Sequence, residues 1–326
     1  MSTSAINTHM DTNAANTQYA YSFEEGDGKN KKLLGGKGAN LCEMTQIGIN
    51  VPPGFVISTE ACLGYLATED RELPPGLMDE VHNQISELEQ ATGKGFGDAD
   101  NMLLLSVRSG SALSMPGMMD TILNLGLNAE TLPGLIKQTG NERFAWDAYR
   151  RFVQLFGKVA LGIADEKFDR PFEELKKREG VTADIDLSAD NLREITDVFL
   201  DVVQGETGRP FPEDVYDQLT LSIKAVFNSW SGKRAVDYRR EFKITTDMAN
   251  GTAVNIQTMV FGNMGDDCAT GVGFTRNPAN GENAMFGEFL VNAQGEDVVA
   301  GIRTPKPVHE LETVMPEMYR QLVALR

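Results

Sequence analysis

The hydrophobic repeat of this chain changes period along its length, and that change limits what it can fold into. Between residues 130 and 212, Phe144, Ala148, Phe152, Leu155 and Val159 recur at spacings of three and four. That is the stripe of a helix with one face against a core. A second stripe follows in Leu219, Ile223, Val226, Phe227 and Trp230. From Gly251 the period becomes two. Over residues 252–261, Val254, Ile256 and Val260 fall on one side and Asn255, Gln257 and Met259 on the other, as in a half-buried strand. Segments 271–276 and 284–293 flank Pro278 and Asn280-Gly281, a hairpin pattern. Residues 308–326 read as helix with no strand after them.

Before residue 130 the elements are mixed. Segment 36–49 predicts a helix with Leu41, Met44 and Ile47 on one face and Gly48 as its stop. Residues 55–58 predict a strand after the Pro52-Pro53-Gly54 turn, and 103–107 a buried strand ending at Arg108. The fold class is therefore α+β with a helical insert. The expected division is a disordered tail at 1–18, a first subdomain at 19–127 and a helical insert subdomain at 128–214. A helical segment at 215–250 then returns to the first subdomain, and a second subdomain at 251–326 is built on an antiparallel sheet. A length of 326 residues suits two or three compact units.

The formal charge of −17 excludes whole classes of partner. Such a chain repels nucleic-acid backbone and anionic lipid in bulk. If it binds a polyanion, it must do so with a local basic cluster. No apolar run approaches the ~18 residues of a membrane span, and the first 18 residues lack the apolar centre of a signal peptide. Cys42, Cys62 and Cys268 are odd in number and far apart. They predict buried thiols in a reducing cytoplasm, with neither a disulfide framework nor a zinc site.

Four segments carry candidate chemistry. In Leu33-Leu34-Gly35-Gly36-Lys37-Gly38-Ala39-Asn40-Leu41, glycines permit close approach of the backbone to an anion, and a helix start points free N–H groups at it. Lys37 adds a point charge. Gly38 stands where a Walker A loop needs Ser or Thr, and a glycine-rich helix start is more often structural. In Ser106-Val107-Arg108-Ser109-Gly110-Ser111, a strand delivers an Arg whose planar fork suits phosphate. The alternative for Arg108 is an ordinary ion pair. In Ser114-Met115-Pro116-Gly117-Met118-Met119-Asp120-Thr121, the methionines are either core filler, their commoner use, or a lid over an adenine ring. In the sheet text, Asn255 and Gln257 share a face on one strand, and Glu288 and Asn292 on another. Such residues either line a ligand or face solvent. The turn at 292–297 brings Glu296 and Asp297 as candidate Mg²⁺ ligands, although a charged turn is the more usual role. His9, His82 and His309 lie beside none of these segments.

In their order, LLGGKGANL, VPPGFVIST, SVRSG, SMPGMMDTILNLGL, GTAVNIQTMVFGN, TGVGFTRNP and GEFLVNAQGEDVVAGIRTP resemble the N-terminal nucleotide-binding region of the pyruvate, phosphate dikinase family, from about Tyr19 onward. Phosphoenolpyruvate synthase, a related water dikinase, shares the first and third types of motif but not MPGMMDT. The resemblance implies an ATP-grasp fold clamping ATP and Mg²⁺, in an enzyme converting ATP, phosphate and pyruvate to AMP, pyrophosphate and phosphoenolpyruvate. A phosphohistidine on a swivelling domain carries the phosphoryl group, and the intact enzyme has room for a homodimer. By motif, Lys37 and Arg108 hold phosphates and are the catalytic pair. The loop of Gly117, Met118, Met119, Asp120 and Thr121 covers them. Gln257 and Met259 line the adenine side, and Glu288 lies in the same cleft. After SVRSG a second Arg of some members is replaced by Ser111, Ala112 and Leu113. The family's DxE metal strand and LQTR strand do not occur before Arg326. The resemblance therefore implies a region incomplete at its C-terminus, with metal ligands beyond it and no turnover by itself. A non-catalytic nucleotide-binding or docking module is the reading from another class.

Overall fold

The computed structural model describes residues 17–299 and 303–326. The expected tail falls mainly on residues 1–16, outside the described residues. The first strands and helices are β1 (Ala20–Ser22), α1 (Lys31–Gln46), β2 (Gly54–Ile57), α2 (Thr59–Ala67), α3 (Leu77–Thr92), β3 (Leu105–Gly110) and β4 (Thr121–Leu125). Helices follow: α4 (Thr131–Thr139), α5 (Glu142–Val159), α6 (Glu166–Glu179), α7 (Ala189–Thr207), α8 (Val215–Ser229) and α9 (Lys233–Glu241). Then come β5 (Ala253–Thr258), β6 (Ala269–Phe274), β7 (Phe286–Val291), α10 (Gly295–Val299), β8 (Lys306–Pro307), α11 (Leu311–Val314) and α12 (Pro316–Leu325). The fold is α+β. Among the described residues no helix is long and apolar enough to cross a membrane.

Five strands form an antiparallel sheet in the order β1-β2-β5-β3-β4. The sequence reading put β5 in the C-terminal sheet. The structure instead seats it in the middle of the first one, between β2 and β3. Alternation identifies a strand and its faces but not its partner, and the burial of β5 on both sides marks a central strand. The C-terminal unit therefore begins after β5. It comprises the sheet β6-β7-β8, whose first two strands form the expected hairpin, and α10 to α12.

The two faces of the five-stranded sheet have different fates. Phe55, Ile57, Val107, Ile122, Val254 and Ile256 are fully buried in the main core. That core also takes Phe144, Ala148, Phe152 and Phe156 of α5 and Leu219, Ile223, Val226 and Phe227 of α8. Helices α4 to α7 thus share one hydrophobic core with the sheet, with α5 packed on β4 and α7. On the other face, register places Asn255 opposite Arg108, Gln257 opposite Ser106, and Thr121 opposite Arg108. Directly paired residues point to the same side of a sheet, so these polar residues form one surface.

Helix α1 covers part of that surface, but not as its apolar stripe predicts. It buries Leu34, Gly38, Ala39 and Cys42, while Ile47 is 69% exposed. Small residues win because contact is close: a Cβ on Gly38 would lie 2.8 Å from Val56 and 2.9 Å from Asn255. The helix also starts before the glycines, and Gly35 interrupts it with φ 67° and ψ 167°.

Candidate functional site

The break at Gly35 presses the chain against the end of β3. A Cβ on Gly35 would come within 1.9 Å of the Gly110 carbonyl oxygen. The Gly36 N–H donates to the Ser111 carbonyl at 2.8 Å. That amide is therefore occupied, against the expectation that it stands free for an anion. What the glycines do is place Lys37. A Cβ on Gly110 would meet the Lys37 Cβ at 3.4 Å, so the lysine crosses β3 close to Arg108. Its side chain keeps solvent-accessible surface, but protein surrounds it on several sides. That burial, and then the like charge of Arg108, lower its pKa to about 8.

Arg108 lies inside β3 rather than at its carboxyl end, because pairing with β5 continues to Gly110. The guanidinium donates to Gln257 Oε1, and Gln257 Nε2 in turn donates to the Pro52 carbonyl at 2.9 Å. Arg108 Nε is buried without a hydrogen-bond partner. Burial lowers the Arg108 pKa, and no acidic group among the described residues offsets it. A half-buried cation lacking a counter-ion is unfavourable unless a ligand supplies the anion.

Arg108 opens into a cleft of about 640 Å³, within the range of small-molecule sites. Arg108, Thr121 and Gln257 form its floor, Met259, Val260 and Phe261 one wall, and Gln294 and Glu296 the side toward the C-terminal unit. Three further buried polar atoms of its lining residues lack partners: Thr258 Oγ1 and both amide atoms of Gln294. Unsatisfied polar atoms in residues that border a roomy cleft call for a partner, and a polar ligand is one that a small shift of these side chains would supply. Met259 and Phe261 add apolar surface suited to a flat ring.

Arg108, Thr121, Gln257 and Met259 line this cleft, whereas Lys37 is not among the lining residues and lies beside β3 near Gly110; the remaining expected residues are separated from it. Met118 and Met119 pack against the main core, and Gly117 is exposed on the surface. Asp120 pairs with Arg234 of α9 at 3.1 Å, and Arg234 also reaches the Gly117 carbonyl at 3.4 Å. Burial raises the Asp120 pKa, and Arg234 opposes that shift. Of the expected lid, Thr121 lines the cleft; Met115 is buried, and Met118 and Met119 are partly buried against the core. Glu288 lines a different, largely apolar groove with Phe289, Val308, Leu311 and Met315. Strand periodicity gave its face but not the position of its sheet.

Sequence reasoning missed Gln294, because nothing local marks an amide as unpartnered. Glu296 does line the cleft, whereas Asp297 caps its own turn by accepting from the Gln294 N–H at 2.9 Å. Arg151 of α5 holds both acids, at 3.8 Å from Glu296 and 3.5 Å from Asp297. Among the described residues no group of three or more His, Cys, Asp or Glu converges as a metal cage.

Residues 31–77 and 67–314 match the family described as "Pyruvate phosphate dikinase, AMP/ATP-binding domain". The chain is 57% identical over 311 residues to pyruvate, phosphate dikinase of Entamoeba histolytica, covering 95% of this chain and 35% of that protein. It is 48% identical over 309 residues to the Clostridium symbiosum enzyme of the same name, covering 94% and 35%. With the chloroplastic enzyme of Flaveria pringlei it shares 53% identity over 299 residues, covering 92% and 31%. The chain thus spans about a third of the length of the curated relatives it matches.

Proposed function

Because the chain belongs to the pyruvate, phosphate dikinase AMP/ATP-binding domain family, we propose that it grips ATP in the Arg108 cleft, between the five-stranded sheet and the C-terminal unit, as an ATP-grasp domain does. One observation carries this reading. Arg108 is a half-buried guanidinium with no acidic partner among the described residues, beside a second cation, Lys37, in a chain of net charge −17. In this reading Lys37 and Arg108 hold the phosphates. Met259 and Phe261 lie along the adenine, and Thr258 and Gln294 offer hydrogen bonds to the nucleoside.

Mg²⁺ fits this arrangement in a limited way. A magnesium ion arriving on phosphates keeps several waters and needs one or two carboxylates, where it supplies charge neutralisation. Glu296 is the one carboxylate among the described lining residues and is the group that would hold it.

The larger role we propose is that of the nucleotide-binding part of a pyruvate, phosphate dikinase. That phosphotransferase, which we place in the cytoplasm for this chain, converts ATP, phosphate and pyruvate to AMP, pyrophosphate and phosphoenolpyruvate. The acceptor is a phosphohistidine on a swivelling domain, the partner of this cleft, in an enzyme that can form a homodimer. Phosphoryl transfer needs positioning and charge stabilisation more than covalent help, and a fixed Arg–Lys pair provides both.

Calorimetric titration with Mg·ATP tests the binding reading. Arg108→Ala should weaken binding by about 10- to 100-fold, the loss of about 1.5–3 kcal/mol from a hydrogen bond to a charged group. In the intact enzyme the same change should slow histidine phosphorylation on the order of a hundredfold or more. Unaltered affinity in Arg108→Ala sinks the site.

A further inference from the structure

On the reading of Arg108 as a phosphate grip, we propose that Gln257 is its positioning residue. Anchored on the Pro52 carbonyl, Gln257 aims the guanidinium into the cleft and leaves its positive charge uncompensated.

The hydrogen bonds run in one direction. Arg108 can only donate, and a backbone carbonyl can only accept. Between them stands the Gln257 amide, which does both. Its Oε1 accepts from Arg108, and its Nε2 donates to the Pro52 carbonyl at 2.9 Å. Turning the amide over would set donor against donor at one end and acceptor against acceptor at the other, so the two partners fix one orientation. The strand register agrees. Arg108 lies opposite Asn255, and Ser106 opposite Gln257. Gln257 is thus the diagonal neighbour of Arg108 on one face of the sheet, within reach of a long side chain. Asn255, although directly opposite, donates to the Arg108 carbonyl at 3.2 Å and so engages the backbone. Arg108, Gln257 and Pro52 all line the cleft.

The anchor is stiff. Pro52 and Pro53 lead into β2, and their rings fix φ. The Thr258 N–H donates to the Pro53 carbonyl at 2.9 Å, which ties the residue after Gln257 to the same turn. Gln257 itself is 5% exposed, and close packing restricts its rotamers.

An amide suits this task better than a carboxylate. Glutamate at this position would set an oxygen against the Pro52 carbonyl and neutralise Arg108, which would then meet a phosphate already paired. Gln257 orders the guanidinium without neutralising it. Ordering a side chain before its ligand arrives strengthens binding without a new contact. The effect falls on the phosphates, whatever base they carry.

The test compares two ligands by calorimetric titration: Mg·ATP, and Mg·tripolyphosphate, which has no base. Gln257→Met removes both hydrogen bonds and keeps most of the side-chain length. It should weaken the two ligands by the same factor, about three- to tenfold, and in an Arg108→Ala background it should change neither. Gln257→Glu should weaken both by about tenfold or more near pH 7. That gap to the unaltered chain should narrow as pH falls toward about 5, because bound phosphate favours the protonated carboxyl. Carbon NMR of ligand-free Gln257→Glu adds an independent readout. The introduced carboxyl should titrate below the usual glutamate value of about 4.3, because Arg108 faces it. A loss confined to Mg·ATP makes Gln257 a reader of the base and overturns the proposal. An equal loss with and without Arg108 overturns it too, as does a carboxyl titrating at or above the usual value. Tripolyphosphate binding indifferent to Arg108→Ala sinks the grip reading instead, and the carboxyl titration still decides whether Gln257 aims Arg108.

Discussion

Lys37 and Arg108 repel each other in the ligand-free protein, and the sign of that repulsion fixes how the site responds to pH. The Lys37 pKa of about 8 is below the value of about 10.4 for an unfolded lysine. Between those two pH values the unfolded chain binds more protons than the folded one, so this residue makes stability rise with pH across that window. Below pH 8 the ammonium is charged in both states and its full unfavourable contribution is present. Lys37→Met should therefore raise the midpoint of thermal unfolding near pH 7 while weakening Mg·ATP binding; a lowered midpoint contradicts the repulsion. A bound triphosphate reverses the balance by favouring the charged amine. Binding near pH 8 should then take up a proton, seen as a dependence of calorimetric enthalpy on the buffer's ionisation enthalpy, and affinity should fall as pH rises beyond 8. Zero proton uptake would detach Lys37 from the phosphates. Both cations were legible in the sequence, because glycines around a Lys and an Arg at the end of an apolar run are local patterns. Gln294 was not, since its lack of a partner is a fact about distant atoms. The methionine loop stayed open in the sequence because Met serves both as core filler and as ligand surface, and no local pattern separates the two.

Among the elements, α1 does the most to shape the site, and it does so through a residue with no side chain. At Gly35 the backbone is left-handed, and the space a Cβ would fill is already taken by the Gly110 carbonyl. Gly35→Ala therefore meets conformational strain and a backbone clash together. The expected loss exceeds about 2 kcal/mol in urea unfolding, with Mg·ATP affinity falling because Lys37 moves off β3. At Gly48, also left-handed but with nothing within 4 Å, alanine meets only the conformational penalty of about 1–2 kcal/mol and should leave nucleotide affinity intact. Equal effects at the two positions would mean that contact with Gly110 is unimportant. The elements themselves were mostly legible: α5 and α8 from their stripes, β5 from its alternation, and the β6–β7 hairpin from its turn. The pairing of β5 between β2 and β3 was not. It joins β5 to segments about 150 residues away in β3 and about 200 away in β2, and no local pattern encodes a partner at that range. The packing face of α1 was misread for a related reason. Apolar periodicity favours large side chains, whereas here close approach selected Gly38 and Ala39.

At the scale of the whole molecule, the helical layer and the C-terminal unit meet through charge. Asp147 on α5 is buried, and burial alone pushes its pKa up; Arg150 and Arg151 override this and hold it at about 2. Its folded value thus lies below the unfolded value of about 3.9. The stabilisation is fully present above pH 4 and is lost as pH falls through 2. Arg151 then continues outward. It bonds Asp147 through Nε at 3.1 Å and reaches Glu296 and Asp297 of α10, tying the core of the helical layer to the cleft wall that carries Gln294. Asn141 adds a neutral tie, its Nδ2 donating to the Met264 carbonyl at 2.8 Å. Removing either charge from this chain has a different consequence. Asp147→Asn leaves two arginines without their buried acid and should lower global stability by about 3–5 kcal/mol, with the acid sensitivity between pH 4 and 2 largely abolished. Arg151→Met leaves Asp147 paired to Arg150 and keeps most of the apolar bulk, so its global effect should be smaller. Its local effect should be larger: amide hydrogen exchange over residues 294–299 should accelerate severalfold, while β3 and β5 stay protected. Glu296, no longer held by the guanidinium, becomes more available to a metal on the phosphates, so the Mg²⁺ dependence of ATP binding should steepen. Exchange at 294–299 unchanged in Arg151→Met would mean that α10 is held by its own turn, through Asp297 and Gln294, and not by the helical layer.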